Sequence, residues 1–469
     1  MHIRRSSGRT DQAGRIRAAP AAAAALALGA TACSGGSDGG SASGKVELTY
    51  RIWDSTQRPA MQHIVDAFEA AHQSVKVKIQ LTANQEYWTK LQADATSGSA
   101  PDVFWMNGPN AQLYKSNGVL MPPSDKLASN KVSLSNYPEG LVSLYSYQGT
   151  PYGIPKDFDT VGLWYNKKLF DAAGVKYSDD TWTWQTVQDA ARKLTDASKG
   201  QYGILAPPFG QENYYNTIFQ AGGTVISADG KSSGYRQPAA KSGLKFWTDL
   251  VKAGSSPSLK SMTDTYPSQL FESGKVAMYY GGSWNTLAFS KNSTLKNNID
   301  VAVLPQGTKR AVTIHGLANV AYVKTKHPKD AAAFLAFLGS KEAAEIGAKQ
   351  GGAIPALTNT QQAWVDANPE FHLKAFLDEV PYAVPIPTSK NTSAWMNQEA
   401  TTFAPAWDGK TDVEAAAQKM AGLLTLSLLK DSVGKSANRL TVRRSGQVRR
   451  DVWFWSCRWV CRRARRRGG

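Results

Sequence analysis

The chain has 469 residues and a formal net charge of +17, and that charge is concentrated at its two ends. Residues 1–32 carry +4 and residues 435–469 carry +11, which leaves +2 over residues 33–434. A middle so close to neutral gives no footing for nucleic acid as a partner, and its length suffices for two or three domains with a sizeable core.

The first segment reads as a targeting signal. Arg4, Arg5, Arg9, Arg15 and Arg17 make a basic start, Ala19 to Leu28 a short apolar run, and Ala30-Thr31-Ala32 small residues ahead of Cys33. The run is too short to span a bilayer. Residues 1–33 resemble a bacterial lipoprotein signal, in which Cys33 is acylated and becomes the mature N-terminus, although Ala30 stands where leucine is commoner. Dual acylation gives a stable anchor, so the expected location is the outer face of a bacterial cytoplasmic membrane. An ordinary secretory signal with an incidental cysteine is the plainer alternative. The Gly/Ser stretch over 34–44 reads as a flexible tether.

The ordered part begins at Lys45. Val46, Leu48, Tyr50 and Ile52 alternate with polar residues, the period of a strand. Met61, Ile64, Val65 and Phe68 follow at the spacing of one helix face. Val75, Val77, Ile79 and Leu81 alternate again, and "PDVFWM" (101–106) reads as a third strand. Strand, helix and strand at this spacing predict a parallel pair and an α/β class. Three later helices show apolar stripes that are core faces: one capped by Thr183, one over 328–338, and one opened by a Thr411/Glu414 capping box.

The end of the chain changes character. Between 33 and 434 lysine outnumbers arginine 32 to five, whereas 435–469 holds 11 arginines and one lysine. The segment 431–469 is expected to be disordered or to lie outside the native fold, with a polybasic membrane patch as the other reading. The remaining cysteines, Cys457 and Cys461, lack the spacing and companions of a zinc site. No cysteine lies in 34–434, so no disulfide staples the folded part.

In a parallel sheet the loops after successive strands fall on one edge, outside the carboxyl ends of the strands. Trp53 and Asp54 follow the first strand, Asn84 and Gln85 the second, and Asn107 the third. Their convergence marks a ligand edge. The plainer reading makes Asp54 a helix cap and Trp53 part of the core.

From "PYGIPKDFDTVGLWYNKKLF" (151–170) onward the chain resembles extracellular solute-binding protein family 1, the carbohydrate receptors of ABC importers. "TWTWQTVQDAARKL", "FQAGGTVIS", "FESGKVAMYYGGSW", "VAVLPQG" and "HPKDAAAFLAFLGSKEAAEIGAKQGGAIPA" follow in the family's order, from about 45 to 430. The resemblance implies a periplasmic-binding-protein-like fold of type II: two α/β lobes, hinge strands between them, and a ligand cleft. The lobes would be 45–155 with 301–356, and 156–300 with 357–430, with Pro155, Pro305 and Pro355 near the crossings. It also implies a di- or oligosaccharide ligand, a membrane permease as partner, no cofactor, and a monomeric receptor.

Sugar ring faces pack on aromatic rings, and sugar hydroxyls want Asp, Asn, Gln and Glu. Lined up on "LWYN", Asp159 falls where maltose-binding members of the family carry a ligand-binding carboxylate in the crossover, with Asp157 as the other candidate. Trp284 matches a family tryptophan that stacks on sugar. Gly316, Gly351 and Gly352 would bring backbone to the cleft. Glu212, Tyr214 and Trp395 are candidates from the second lobe, with Trp364 and Tyr382 behind them.

The same residues bear on other functions. A glycoside hydrolase needs two carboxyl groups on opposite sides of the scissile bond. Asp157 and Asp159, at i and i+2 of one strand, belong to one wall. The six histidines make no H-x-H or H-x-x-H pair, against a metal receptor. G-x-S-x-G, G-x-x-x-x-G-K-[ST] and C-x-x-C do not occur, against the common nucleophile, nucleotide and redox sites. A purely structural surface lipoprotein is separated from a receptor only by ligand binding.

Overall fold

The computed structural model describes residues 45–123 and 132–441. The expected signal, Cys33, the tether and residues 442–469 lie outside the described residues.

Strand β1 (Val46–Ile52), helix α1 (Arg58–Ala71), strand β2 (Val75–Leu81), helix α2 (Asn84–Ser97), strand β3 (Val103–Asn107) and helix α3 (Gly108–Ser116) follow in chain order. β1 pairs in parallel with β2, Val46 opposite Val75 through Ile52 opposite Leu81, and with β3, Tyr50 opposite Val103. Leu48, Tyr50 and Ile52 are buried, and α1 lays Met61, Ile64, Val65 and Phe68 into the same core. Proline in the first turn of α1 pre-sets the helical backbone where its missing N–H costs nothing. The antiparallel strand Leu317–Tyr322 continues this sheet beyond β3, and carries Leu120–Met121 and Ile154–Pro155 on its own flank.

A second sheet forms around Val161–Asn166, which is buried along its whole length. Met278–Gly282 and Ile299–Ala302 flank it, both antiparallel. The helix Lys374–Asp378 covers it, with Phe376 tilted against Trp164 at 5.8 Å.

Residues 156–160 carry the chain from the first sheet to the second, and it returns between Ala302 and Leu317. These connections hold one another. Ile354 pairs with Phe158 and Pro355 with Asp157. Asp159 and His315 exchange two backbone bonds, at 2.7 and 3.1 Å. Val312–Ile314 pairs in parallel with Ala383–Pro385.

Thr183 caps the helix Trp184–Leu194 in a full capping box with Thr186. The box expected at Thr411/Glu414 does not form as read. Asp412 accepts the Glu414 N–H at 2.6 Å and does the capping, because its carboxylate is one residue nearer the first free amides. The helix it opens, Val413–Thr441, runs past residue 431 into the segment expected outside the fold. Among the described residues no helix is long and apolar enough to cross a membrane.

Candidate functional site

The strand Met278–Gly282 ends in a single 3-10 turn, Ser283–Asn285, and the site is built around it. Ser283 Oγ donates to Asp159 Oδ1 at 2.9 Å. Trp284, half-buried, lies across Gly282. A Cβ on Gly282 would stand 1.9 Å from Trp284 Cζ3, so only glycine lets the indole lie flat there. Asn285 Nδ2 donates to Gly282 O at 3.2 Å, and Tyr279 Oη donates to Glu212 Oε1 at 3.2 Å. The strand and its turn thus engage both carboxyl groups, Asp159 through Ser283 and Glu212 through Tyr279. Tyr266, 52% exposed, lies tilted against Phe209 at 5.8 Å.

Glu212 is buried, and its Oε2 has no hydrogen-bond partner. Burial pushes its carboxyl up to about 8, with the Tyr279 hydrogen bond opposing. Asp159 moves the same way, by burial first and then by the charge of Asp157, against Ser283 and Lys156. A buried carboxyl oxygen without a partner is costly unless something else supplies one. Glu212 sits in a turn of π-helix, Gly210–Tyr214, where Tyr214 N–H donates to Phe209 O at 3.1 Å. Such turns are rare and frequent at functional sites.

The strand-end residues are arranged differently. Trp53 is half-buried against Tyr87, Trp105 and Trp88, at 4.8, 5.1 and 5.6 Å. Asp54 accepts the N–H and hydroxyl of Thr56 at 2.8 and 2.7 Å, and the Gln57 amide at 3.0 Å. Asn107 caps α3, accepting Asn110 N–H at 3.1 Å and its side-chain amide at 2.9 Å. Asn84 opens α2 and is exposed. Gln85 follows it in the helix, and its side chain lies outside the described residues.

At the crossing, Asp157 is buried and already engaged. Its Oδ1 accepts the Leu317 N–H at 2.7 Å, and its Oδ2 is held by Lys156. Lys156 Nζ also reaches Gln57 Oε1 at 2.8 Å and stands 4.5 Å over the Trp105 ring. The two carboxylates read together from the sequence thus separate, Asp157 into an ion pair and Asp159 onto Ser283. A Cβ on Gly316 would stand 2.2 Å from the Asp157 carbonyl oxygen, and one on Gly352 3.3 Å from Gln57 Cγ.

Tyr214 and Trp395 are fully buried with their polar atoms engaged. Tyr214 Oη donates to Glu399 at 3.1 Å, alongside Tyr215 at 2.6 Å and Tyr235. Trp395 Nε1 donates to Ser389 Oγ at 3.0 Å. Trp364 is buried and Tyr382 half-exposed. The structure therefore ties Asp159 and Glu212 to Ser283 and Tyr279, on the strand and turn that carry Trp284, gathers Asp157, Gly316 and Gly352 at the crossing, and leaves Tyr214 and Trp395 in the core.

Sequence reasoning missed Ser283, Asn285, Tyr279, Tyr266, Phe209, Lys156 and His315. Ser283 and Asn285 flank Trp284 directly, which was the available signal. His315 Nε2 accepts Gly108 N–H at 3.1 Å, and burial pushes its imidazole down to about 4. Among the described residues no three His, Cys, Asp or Glu side chains stand together as a metal cage.

Comparison with known proteins places this architecture. The maltodextrin-binding protein MdxE of Bacillus subtilis is 24% identical over 416 residues, covering 86% of this chain and 95% of its own. An ABC substrate-binding protein of Listeria monocytogenes, solved in complex with cycloalternan, superimposes with a TM-score of 0.77 at 28% identity, over 82% of this chain and 99% of its own. The GacH receptor of Streptomyces glaucescens, solved unliganded and with acarbose, superimposes with a TM-score of 0.74 at 22% identity, over 82% and 99%. The fold is that of the periplasmic binding proteins, two α/β lobes joined by crossing strands. The model of the bacterial extracellular solute-binding proteins matches residues 53–345, and the chain belongs to that family.

Proposed function

We propose that this chain is the carbohydrate receptor of an ABC importer. It captures a di- or oligosaccharide between its lobes and hands it unaltered to a membrane permease. The observation that carries the reading is the Trp284 wall: an indole held across Gly282, on a strand and turn whose Ser283 and Tyr279 hold the buried carboxyl groups of Asp159 and Glu212. An indole face suits the C–H face of a sugar ring, and flanking carboxyl groups suit its hydroxyls. The relatives support the ligand class, since they include maltodextrin-binding, galactooligosaccharide-binding and lactose-binding proteins.

In this reading the lobes are 45–155 with 301–356, and 156–300 with 357–430. The sugar lies between the Trp284 wall and the ends of β1, β2 and β3. Cys33 anchors a monomer by acylation to the outer face of the membrane, with 34–44 as tether. A ligand drives closure only through its higher affinity for the closed form.

Calorimetry over a panel of maltodextrins, galacto-oligosaccharides, lactose and polyols tests the reading. Heat from at least one oligosaccharide, with no reducing ends released on incubation, is the expected result. A silent panel on folded protein overturns it. Release of the Cys33→Ser protein to the medium is expected if the anchor is right, and retention on the membrane contradicts it.

A further inference from the structure

Resting on the reading of Glu212 as a sugar-facing carboxyl group, we propose that Asn216 is its positioning residue. Through one side chain, Asn216 ties the Glu212 turn to the strand that leads to Asp159.

A π-turn shifts the hydrogen-bond register by one residue, so its carbonyls need partners that an α-helix would supply itself. Asn216 supplies them. Its side-chain amide donates to the carbonyls of Gln211, Glu212 and Asn213, at 2.8, 3.0 and 3.4 Å. Its Oδ1 accepts the N–H of Thr313 at 2.7 Å. Both ends of the amide are used, and the residue is 0% exposed. Thr313 lies in Val312–Ile314, one residue past which His315 pairs with Asp159. The same amide therefore grips the peptide groups of Glu212 and the strand that enters the Asp159 crossing.

The arrangement has a physical reason. The Glu212 side chain is buried with one oxygen unpartnered, so any slack in its backbone would let the carboxyl group turn away. The two N–H groups of one amide, shared among its own and neighbouring carbonyls, remove that slack. Asn216 touches no sugar in this account, and its effect on binding passes through Glu212.

The test follows the Glu212 carboxyl group by carbon-13 NMR on glutamate-labelled protein, with the resonance assigned by its loss in Glu212→Gln. In Asn216→Ala the Glu212 midpoint should fall by about one pH unit or more toward an exposed glutamate. An unchanged Glu212 midpoint overturns the proposal. With maltotriose as probe, Asn216→Ala should weaken binding about tenfold, and less than about twofold in the Glu212→Gln background. Equal losses in both backgrounds also overturn it. Asn216→Ser, which keeps one donor, serves if the alanine variant does not fold. A wild-type protein that binds no panel sugar counts against the carbohydrate reading, and the NMR arm then decides the positioning role by itself.

Discussion

Two walls of this molecule use the same kinds of residue in opposite ways. At the ends of β1 and β3, Asp54 spends both carboxylate oxygens locally, on Thr56 and Gln57, and Asn107 spends its amide oxygen on Asn110. Around Trp284, Asp159 and Glu212 are braced by a single hydroxyl each among the side-chain bonds described, and Glu212 keeps an oxygen free. The two walls differ in how much acceptor capacity buried carboxyl groups keep after folding. The Trp284 wall holds that surplus.

The difference can be broken by substitution. Trp284→Ala should have the largest effect, weakening binding of the best panel sugar about 30- to 100-fold, the scale of an aromatic hot spot. Its melting temperature should change little, because the ring is half-exposed. Calorimetry beside a thermal melt checks both. Asp159→Asn keeps the shape but replaces one carboxyl oxygen by an amide that cannot accept, and should cost about tenfold in affinity. Asn107→Ala should behave in reverse, losing about 1 kcal/mol of stability with its cap while affinity stays within about threefold. A tenfold loss of affinity there would erase the distinction between the walls.

The smallest effect sharpens the comparison through pH. The Glu212 carboxyl group sits at about 8 in the folded protein, above its unfolded value. Its stabilising proton is fully present below the unfolded value and is lost as pH rises toward 8, so stability should fall across that window. Glu399, pushed up to about 7 by burial against the bonds from its three tyrosines, acts in the same direction. Glu212→Gln should flatten part of the decline, a difference of a few degrees, on the order of 1 kcal/mol or more, between melts at pH 5 and pH 8. A decline as steep as in the wild type would show that Glu212 is not buried as described.

Much of this was legible in the sequence wherever a local period carries the information. The alternation at Leu48, Tyr50 and Ile52 and the stripe from Met61 to Phe68 predicted β1, α1 and the parallel sheet. Trp284 was singled out by its match to a family tryptophan, and Thr183 was legible as a cap through its own side chain. The rest was hidden for two physical reasons. Bonds such as Ser283 to Asp159 and Asn216 to Thr313 join residues 124 and 97 positions apart, and no local pattern encodes them. The π-turn changes the register of the chain without changing its composition. Asp157 and Asp159 look equivalent in the sequence, and only the Leu317 amide and the Lys156 ammonium tell them apart.

Gly316 has a practical consequence for anyone reshaping specificity by directed evolution. Two main chains pass there so closely that even alanine would intrude on the Asp157 carbonyl oxygen. A library randomised at position 316 would be filled with misfolded clones, whatever new contacts it offered. Diversity is better invested at Phe209, Tyr266 and Trp284, whose partly accessible rings can be exchanged without forcing two backbones apart.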